Sequence, residues 1–260
     1  MNSKESINPC VFCNIPIAGS RTKEHIMPVW LLKYLGIRKD KISPTHFNLD
    51  NGTKAITTRN HSLNSLVAPV CAKCNNYFLS HIEVSAKQII IDLMECNNTI
   101  VDLNVDERFN LARWAFKTAL TLNLGSNFIK NIPIEHYHYL YDNCTSLPDN
   151  VCVVAQQHHF NRPFYWVQGS NWIVHNVKGG EVGEDIHNSY KIGFQFKHLL
   201  LLVAFKSIPD YKFVIERGIH VPLYPVKGPI GHCENHDFTW DDSIKALMGF
   251  YMGLRLAESI

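Results

Sequence analysis

The sequence predicts an α+β protein: a metal-stapled N-terminal module over residues 1–95, then a region over 96–260 that mixes helices with antiparallel strands. Three observations predict it. Two Cys-x-x-Cys pairs, Cys10/Cys13 and Cys71/Cys74, bracket the first part. From Cys74 to about Leu140 apolar residues recur at helical spacing. Beyond Pro148 the apolar runs become short and rich in Val, Ile and aromatic residues, which suits strands. A chain of 260 residues, 46% hydrophobic, can bury a substantial core as one large domain or two small ones.

The elements are taken in chain order. Residues 1–30 are loop-rich, with Pro9, Pro16 and Gly19. Trp30 to Leu35 is an apolar run that Gly36 would close as a short helix. Residues 37–64 are polar and irregular, with turn signals at Ser43-Pro44 and Asn51-Gly52. Phe78, Ile82, Ala86, Ile89, Ile90 and Leu93 mark a helix from Cys74 to about Glu95. Asn104 with Glu107 reads as a capping box opening a helix over 104–123, with Phe109, Ala112, Phe116, Ala119, Leu120 and Leu122 on its apolar face. Pro133 opens a third helix through His136 and Leu140. Strands are expected at Val151–Ala155, Phe164–Gln168, Trp172–Val177, Lys191–Phe205 and Lys212–Ile215. A closing helix is expected from Asp241 to Ala257, with Ile244, Leu247, Met248, Tyr251 and Leu254 on one face. The domain boundary falls between Glu95 and Asp102.

The formal net charge is +2, which carries no nucleic-acid signal by itself. Residues 1–95 hold 11 Lys/Arg against 7 Asp/Glu, and the remainder 14 against 16, so the modest basic excess lies with the cysteine motifs. No apolar run follows the polar start, and Gln195, Lys197 and His198 interrupt the most apolar stretch, Ile192 to Phe205. Neither a signal peptide nor a membrane span is expected, and a cytoplasmic location follows as an expectation. There, eight cysteines point to metal ligation or buried thiols rather than disulfides.

Two Cys-x-x-Cys pairs can supply four thiolates at tetrahedral distance, which is how a structural zinc site is closed. Between them stands Lys23-Glu24-His25-Ile26-Met27-Pro28. A carboxylate beside a neutral imidazole suits one Mg²⁺ or similar ion and one activated water. An amide, Asn75, follows directly on the last cysteine, where zinc would fix the start of a helix and so aim it; a helix cap is the plainer use of an Asn there.

Cys-x-x-Cys, then Glu-His-Ile-x-Pro-x-Trp-Leu, then Val-Cys-x-x-Cys-Asn-Asn resembles the HNH endonuclease family at Thr22 to Leu31 and Val70 to Asn76. The resemblance covers roughly the first 95 residues. It implies a ββα-metal core with a treble-clef zinc knuckle and metal-dependent cleavage of nucleic acid, DNA favoured over RNA, in some members as anti-phage effectors. It implies structural Zn²⁺ on Cys10, Cys13, Cys71 and Cys74. It also implies a catalytic Mg²⁺ or Mn²⁺ on Glu24 and Asn75, with Asn76 as the register alternative, and His25 as general base. The family's middle Asn is missing: Leu66 stands in its place, with Asn64 the nearest substitute and Asn60 the next. His61 and His81 are nearby single histidines.

The remainder offers weaker leads. His158-His159 on a strand would point to opposite faces. His232, Cys233 and His236 lie near Glu234 and Asp237 without paired ligand spacing. Phe164, Tyr165, Trp166 and Trp172 suit a core more than base stacking. Arg108, Arg113 and Lys117 would lie on a solvated face able to reach phosphates. The apolar, slightly acidic C-terminal part suits self-association, most simply a homodimer, or regulation by a sensor or ATPase partner. A non-catalytic zinc-organised module that binds nucleic acid or protein is the alternative to the nuclease.

Overall fold

The computed structural model describes residues 9–17, 22–42, 45–47, 54–56, 61–125, 131–175, 181–186, 188–225, 231–233 and 243–258. The strands are β1 (Thr22–His25), β2 (Lys41–Ile42), β3 (Thr45–Phe47), β4 (Lys54–Ile56), β5 (His61–Ser62), β6 (Val67–Val70), β7 (Val151–Gly169), β8 (Asn171–His175), β9 (Glu181–Asp185), β10 (Tyr190–Phe205), β11 (Tyr211–Glu216), β12 (Val221–Tyr224), β13 (Gly231–Cys233) and β14 (Arg255–Glu258). The helices are α1 (Val29–Tyr34), α2 (Ser80–Met94), α3 (Val105–Gly125), α4 (Ile134–Asp142) and α5 (Ser243–Gly253). The fold is mixed α+β with mainly antiparallel sheets, as expected. No helix among the described residues is long and apolar enough to cross a membrane.

The N-terminal part is held by short ladders. β1 pairs antiparallel with β6, Glu24 opposite Ala68 and His25 opposite Val67. The stretch that looked irregular carries two more antiparallel pairs, β2 with β5 and β3 with β4. It lacks apolar alternation, so periodicity could not reveal strands paired mainly through their backbones. Ser43-Pro44, Asn51-Gly52 and Asn60 lie outside the described residues. Helix α1 ends as expected, with Leu35 N donating to the Leu31 carbonyl at 2.9 Å and Gly36 turning the chain at φ +73.

Helix α3 is the central strut. Its start is the capping box read from the sequence: Asn104 N donates to Glu107 Oε2 and Glu107 N to Asn104 Oδ1, both at 3.0 Å. Its second half is buried on every side, from Leu111 and Ala112 through Lys117, Thr118 and Thr121 to Asn123. A helix buried all round is apolar or pairs most of its polar groups, and here Thr118 Oγ1 and Trp114 Nε1 lack a hydrogen bond among the described residues. Thr121 Oγ1 donates to the Lys117 carbonyl at 3.1 Å, and Asn123 Nδ2 to the Tyr137 hydroxyl at 2.8 Å. The solvated face expected for Arg108, Arg113 and Lys117 is therefore corrected for Lys117. Lys117 is buried, the ring of Phe78 lies under Arg113 at 5.8 Å, and Arg108 donates to the carbonyls of Leu103 and Val101.

The C-terminal part is built on a long antiparallel ribbon of β7 and β10, with β12 on the other edge of β7. The ribbon separates two cores. Val151, Val153, Ala155, Leu199, Leu201 and Val203 face one that also holds Ile26, Ile90, Trp114 and Phe116. Cys152, Val154, Leu200, Leu202 and Ala204 face a second, with Trp172, Phe213, Phe250 and Leu256. The first core thus runs without a break across residue 95.

Three expectations are corrected here. The closing helix stops at Gly253, and Arg255–Glu258 is a strand inserted between β8 and β11. A Cβ at Gly253 would lie 2.9 Å from the ring of His220, so only glycine lets the helix end come this close. The sheet that receives β14 is not wholly antiparallel: β14 runs parallel to β8, and β13 parallel to β11. His158 and His159 do not point apart; their rings lie 4.2 Å centroid to centroid. The β7–β10 register shifts between Leu199↔Gln157 and Lys197↔Arg162, and that bulge breaks the two-residue alternation.

Candidate metal centre and adjoining cleft

The four cysteines meet. Their sulfur atoms all lie within 4.8 Å of one another, and Cys13 Sγ is 3.8 Å from Cys71 Sγ. Four thiolates about 2.3 Å from a zinc ion would be about 3.8 Å apart, so the cluster fits a metal such as zinc. Local backbone aims the ligands. Cys71 N donates to Cys10 Sγ and Cys74 N to Cys71 Sγ, each at 3.4 Å. Asn14, at φ +54, turns the first knuckle back, its N–H donating to the Cys10 carbonyl at 2.8 Å. Within the cluster a hydrogen bond from Cys74 lowers the Cys10 thiol against the effect of burial, and the same bond raises Cys74.

Beside this centre opens a cleft of about 340 Å³. Glu24 and His25 enter it from the end of β1, Pro28, Val29 and Trp30 from the start of α1, and Asn75 and Asn76 from the segment after the last cysteine. That segment, Cys74–Leu79, is a π-helical turn before α2 begins at Ser80. Wide turns of this kind recur at functional sites because they displace side chains from the regular helical stripe. Ser80 and Glu83 complete the wall.

Glu24, His25, Asn75 and Asn76 are thus brought together. Asn64 is not among the cleft-lining residues. It sits in the 3-10 turn Leu63–Ser65, and its Oδ1 accepts from Arg38 Nε at 3.1 Å. His81 is exposed on α2 and is not part of the lining. His61 lies in β5; its side chain, like those of His232 and Cys233, is outside the described residues, as are Glu234, His236 and Asp237. The aromatics weighed as a stacking platform are packed instead: Trp172 is buried, and Phe164 stacks on Trp166 at 5.5 Å and on Phe196 at 5.3 Å.

Two residues of this region escaped the sequence reading. Lys117 Nζ contacts Glu24 Oε1 and lies 2.7 Å from Glu83 Oε1. Glu83 belongs to none of the motifs, Lys117 was expected on a solvated face, and no local pattern sets them apart. Burial works against the Lys117 ammonium, but the charges of Glu83 and Glu24 outweigh it and hold its pKa above the ordinary value. Burial leaves the Glu24 carboxyl above its ordinary value, although Lys117 pulls against it. Partial burial pulls His25 below the usual imidazole value, so its ring is neutral near pH 7 and able to accept a proton. No protein-family model, curated protein or solved structure matches this chain.

Proposed function

We propose that the protein is a metal-dependent endonuclease of the HNH type, with DNA the favoured substrate. One observation carries the reading: the adjacent Glu24 and His25 of β1 and Asn75, far along the sequence from them, line one cleft beside the four-cysteine centre. The motifs at Thr22 to Leu31 and Val70 to Asn76 resemble that family over the same residues. In this reading the four cysteines hold zinc as a treble clef, and the zinc fixes the turn that presents Asn75 without touching substrate.

His25 removes a proton from a water as it attacks the phosphorus of a phosphodiester; the P–O bond to the 3′-oxygen then breaks, and that oxygen takes up a proton. Glu24 and Asn75, a carboxylate and an amide oxygen, would hold Mg²⁺ or Mn²⁺, which would supply positive charge to the transferring phosphate. A half-buried imidazole in the lining of the cleft supports that role. Binding without catalysis is the competing reading. It is favoured by Asn64, which is engaged with Arg38 where the family's middle Asn would orient the base.

Nicking of supercoiled plasmid in Mg²⁺ or Mn²⁺ separates the two. The parent should cut, and His25→Ala should lose about 10²–10⁴-fold in rate with zinc content and melting curve unchanged. A variant that cuts as fast as the parent means that His25 is not the base. A parent that binds DNA or RNA but cuts neither favours the binding module.

A further inference from the structure

Under the cleft lies a cation that the HNH-like motifs do not contain. Lys117 belongs to α3, beyond the first 95 residues, and its side chain is 0% exposed. Its ammonium is shared between Glu24 of β1 and Glu83 of α2, and both acids line the cleft. In each case the contact is through Oε1. Two oxygens on one ammonium can be no more than about 6 Å apart, twice a hydrogen-bond length. Among the described residues the other oxygen of each carboxylate makes no hydrogen bond or ion pair, which leaves it for a further partner.

Packing alone does not call for this lysine. Desolvating an ammonium costs several kcal/mol, and a well-packed apolar side chain is often as stabilising as a buried ion pair. An ion pair at the floor of a cleft does what an apolar residue cannot. It holds two like charges side by side where their repulsion would otherwise drive them apart.

We propose that Lys117 is a positioning residue that sets Glu24 and Glu83 as a convergent pair, so that Glu83 joins Glu24 in holding the divalent ion. The inference rests on the ion-dependent reading of the cleft. An ion the size of Mg²⁺ or Mn²⁺ takes oxygens at about 2.1 Å and tolerates little displacement, so carboxylates fixed before it arrives favour its binding. Part of the ion site would then be set from within the C-terminal region.

The test uses the full-length, zinc-loaded protein and Mn²⁺ alone, with free ion measured by electron paramagnetic resonance. Zinc content and melting curves are recorded beside it. The parent should bind Mn²⁺, and Glu83→Gln and Lys117→Met should weaken binding about 10–100-fold while retaining zinc. In plasmid cleavage the two variants should need correspondingly more Mn²⁺ and recover rate when it is supplied, which a purely structural lysine would not produce. Should Lys117→Met fail to fold, Glu83→Gln decides alone. A parent that binds no Mn²⁺, or folded variants that bind it as the parent does, overturns the inference. The nuclease reading is judged separately, by parental cleavage and by His25→Ala, which should bind Mn²⁺ normally and not cut.

Discussion

Arg255 and Glu216 meet at 2.7 Å with side chains 4% and 1% exposed, and beside them His220 is buried under α5. Removing one partner of such a pair strands the other charge. Arg255→Met should cost about 3–5 kcal/mol by denaturant unfolding, and pairing it with Glu216→Leu should recover most of that loss. His220 is held neutral by its surroundings: its Nδ1 accepts from Glu216 N at 3.2 Å, and its Nε2 faces the Phe250 carbonyl at 2.8 Å. Burial lowers the pKa of both His220 and His136 to about 4. The unfolded chain, with histidines near 6.5, binds more protons between those values. Stability from these two groups is therefore complete above about pH 6.5 and falls as the pH drops towards 4. Denaturant midpoints that stay flat from pH 7 to 5 would contradict this. At the metal centre, Cys74→Ser should lose zinc by elemental analysis and unfold in the same conditions, because structural zinc contributes directly to folding. A stable, zinc-free variant would show that the cluster is only a group of buried thiols.

The helices show how far local sequence reaches. The capping box of α3 was legible because Asn104 and Glu107 act on each other's backbone within one turn, and Asn104→Ala should cost about 1 kcal/mol in thermal or chemical unfolding. The cysteine pairs were legible for a similar reason, since ligand spacing is a short-range code. Glu24, His25 and Asn75 could be named through their motifs, although only the β1–β6 ladder and the π-helical turn bring them to one cleft. Lys117 and Glu83 were not legible, because what distinguishes them is a meeting between α2, α3 and β1. The end of α5 was misread for another reason: its apolar stripe continues to Leu254, which is buried equally well just ahead of strand β14. The bulge in β7 was hidden too, because it depends on how β10 pairs with it.

Across the molecule, the N-terminal part leans on the C-terminal one. Gln157 Nε2 donates to the carbonyls of Leu93 and Asn98 at 3.0 and 2.9 Å, closing the end of α2 from β7. Lys197, at a bulge in β10, pairs with Glu95, whose Oε1 also accepts from the Tyr34 hydroxyl at 2.7 Å. A fragment ending at Glu95 would expose Ile82, Ala86, Ile90 and Leu93 and leave Glu24 without Lys117. It should aggregate or remain unfolded even with zinc, as circular dichroism and sedimentation would report; a folded, soluble fragment would show that the contacts across residue 95 are dispensable. The two-sided ribbon has a consequence of another kind. Most strands know which way up they lie, because one face is oily and the other wet. Along Leu199–Ala204 both faces are oily, so hydrophobicity alone scarcely distinguishes the native alignment from one shifted by a residue. Polar side chains within the ribbon and at its ends remove that ambiguity. Gln157 meets the carbonyls of Leu93 and Asn98 and the N–H of Ile100; Lys191 reaches the carbonyls of Tyr251 and Leu254, and Lys206 reaches Asn150 Oδ1. Their value is less adhesion than information: they are the marks by which the chain tells the correct alignment from its near copies.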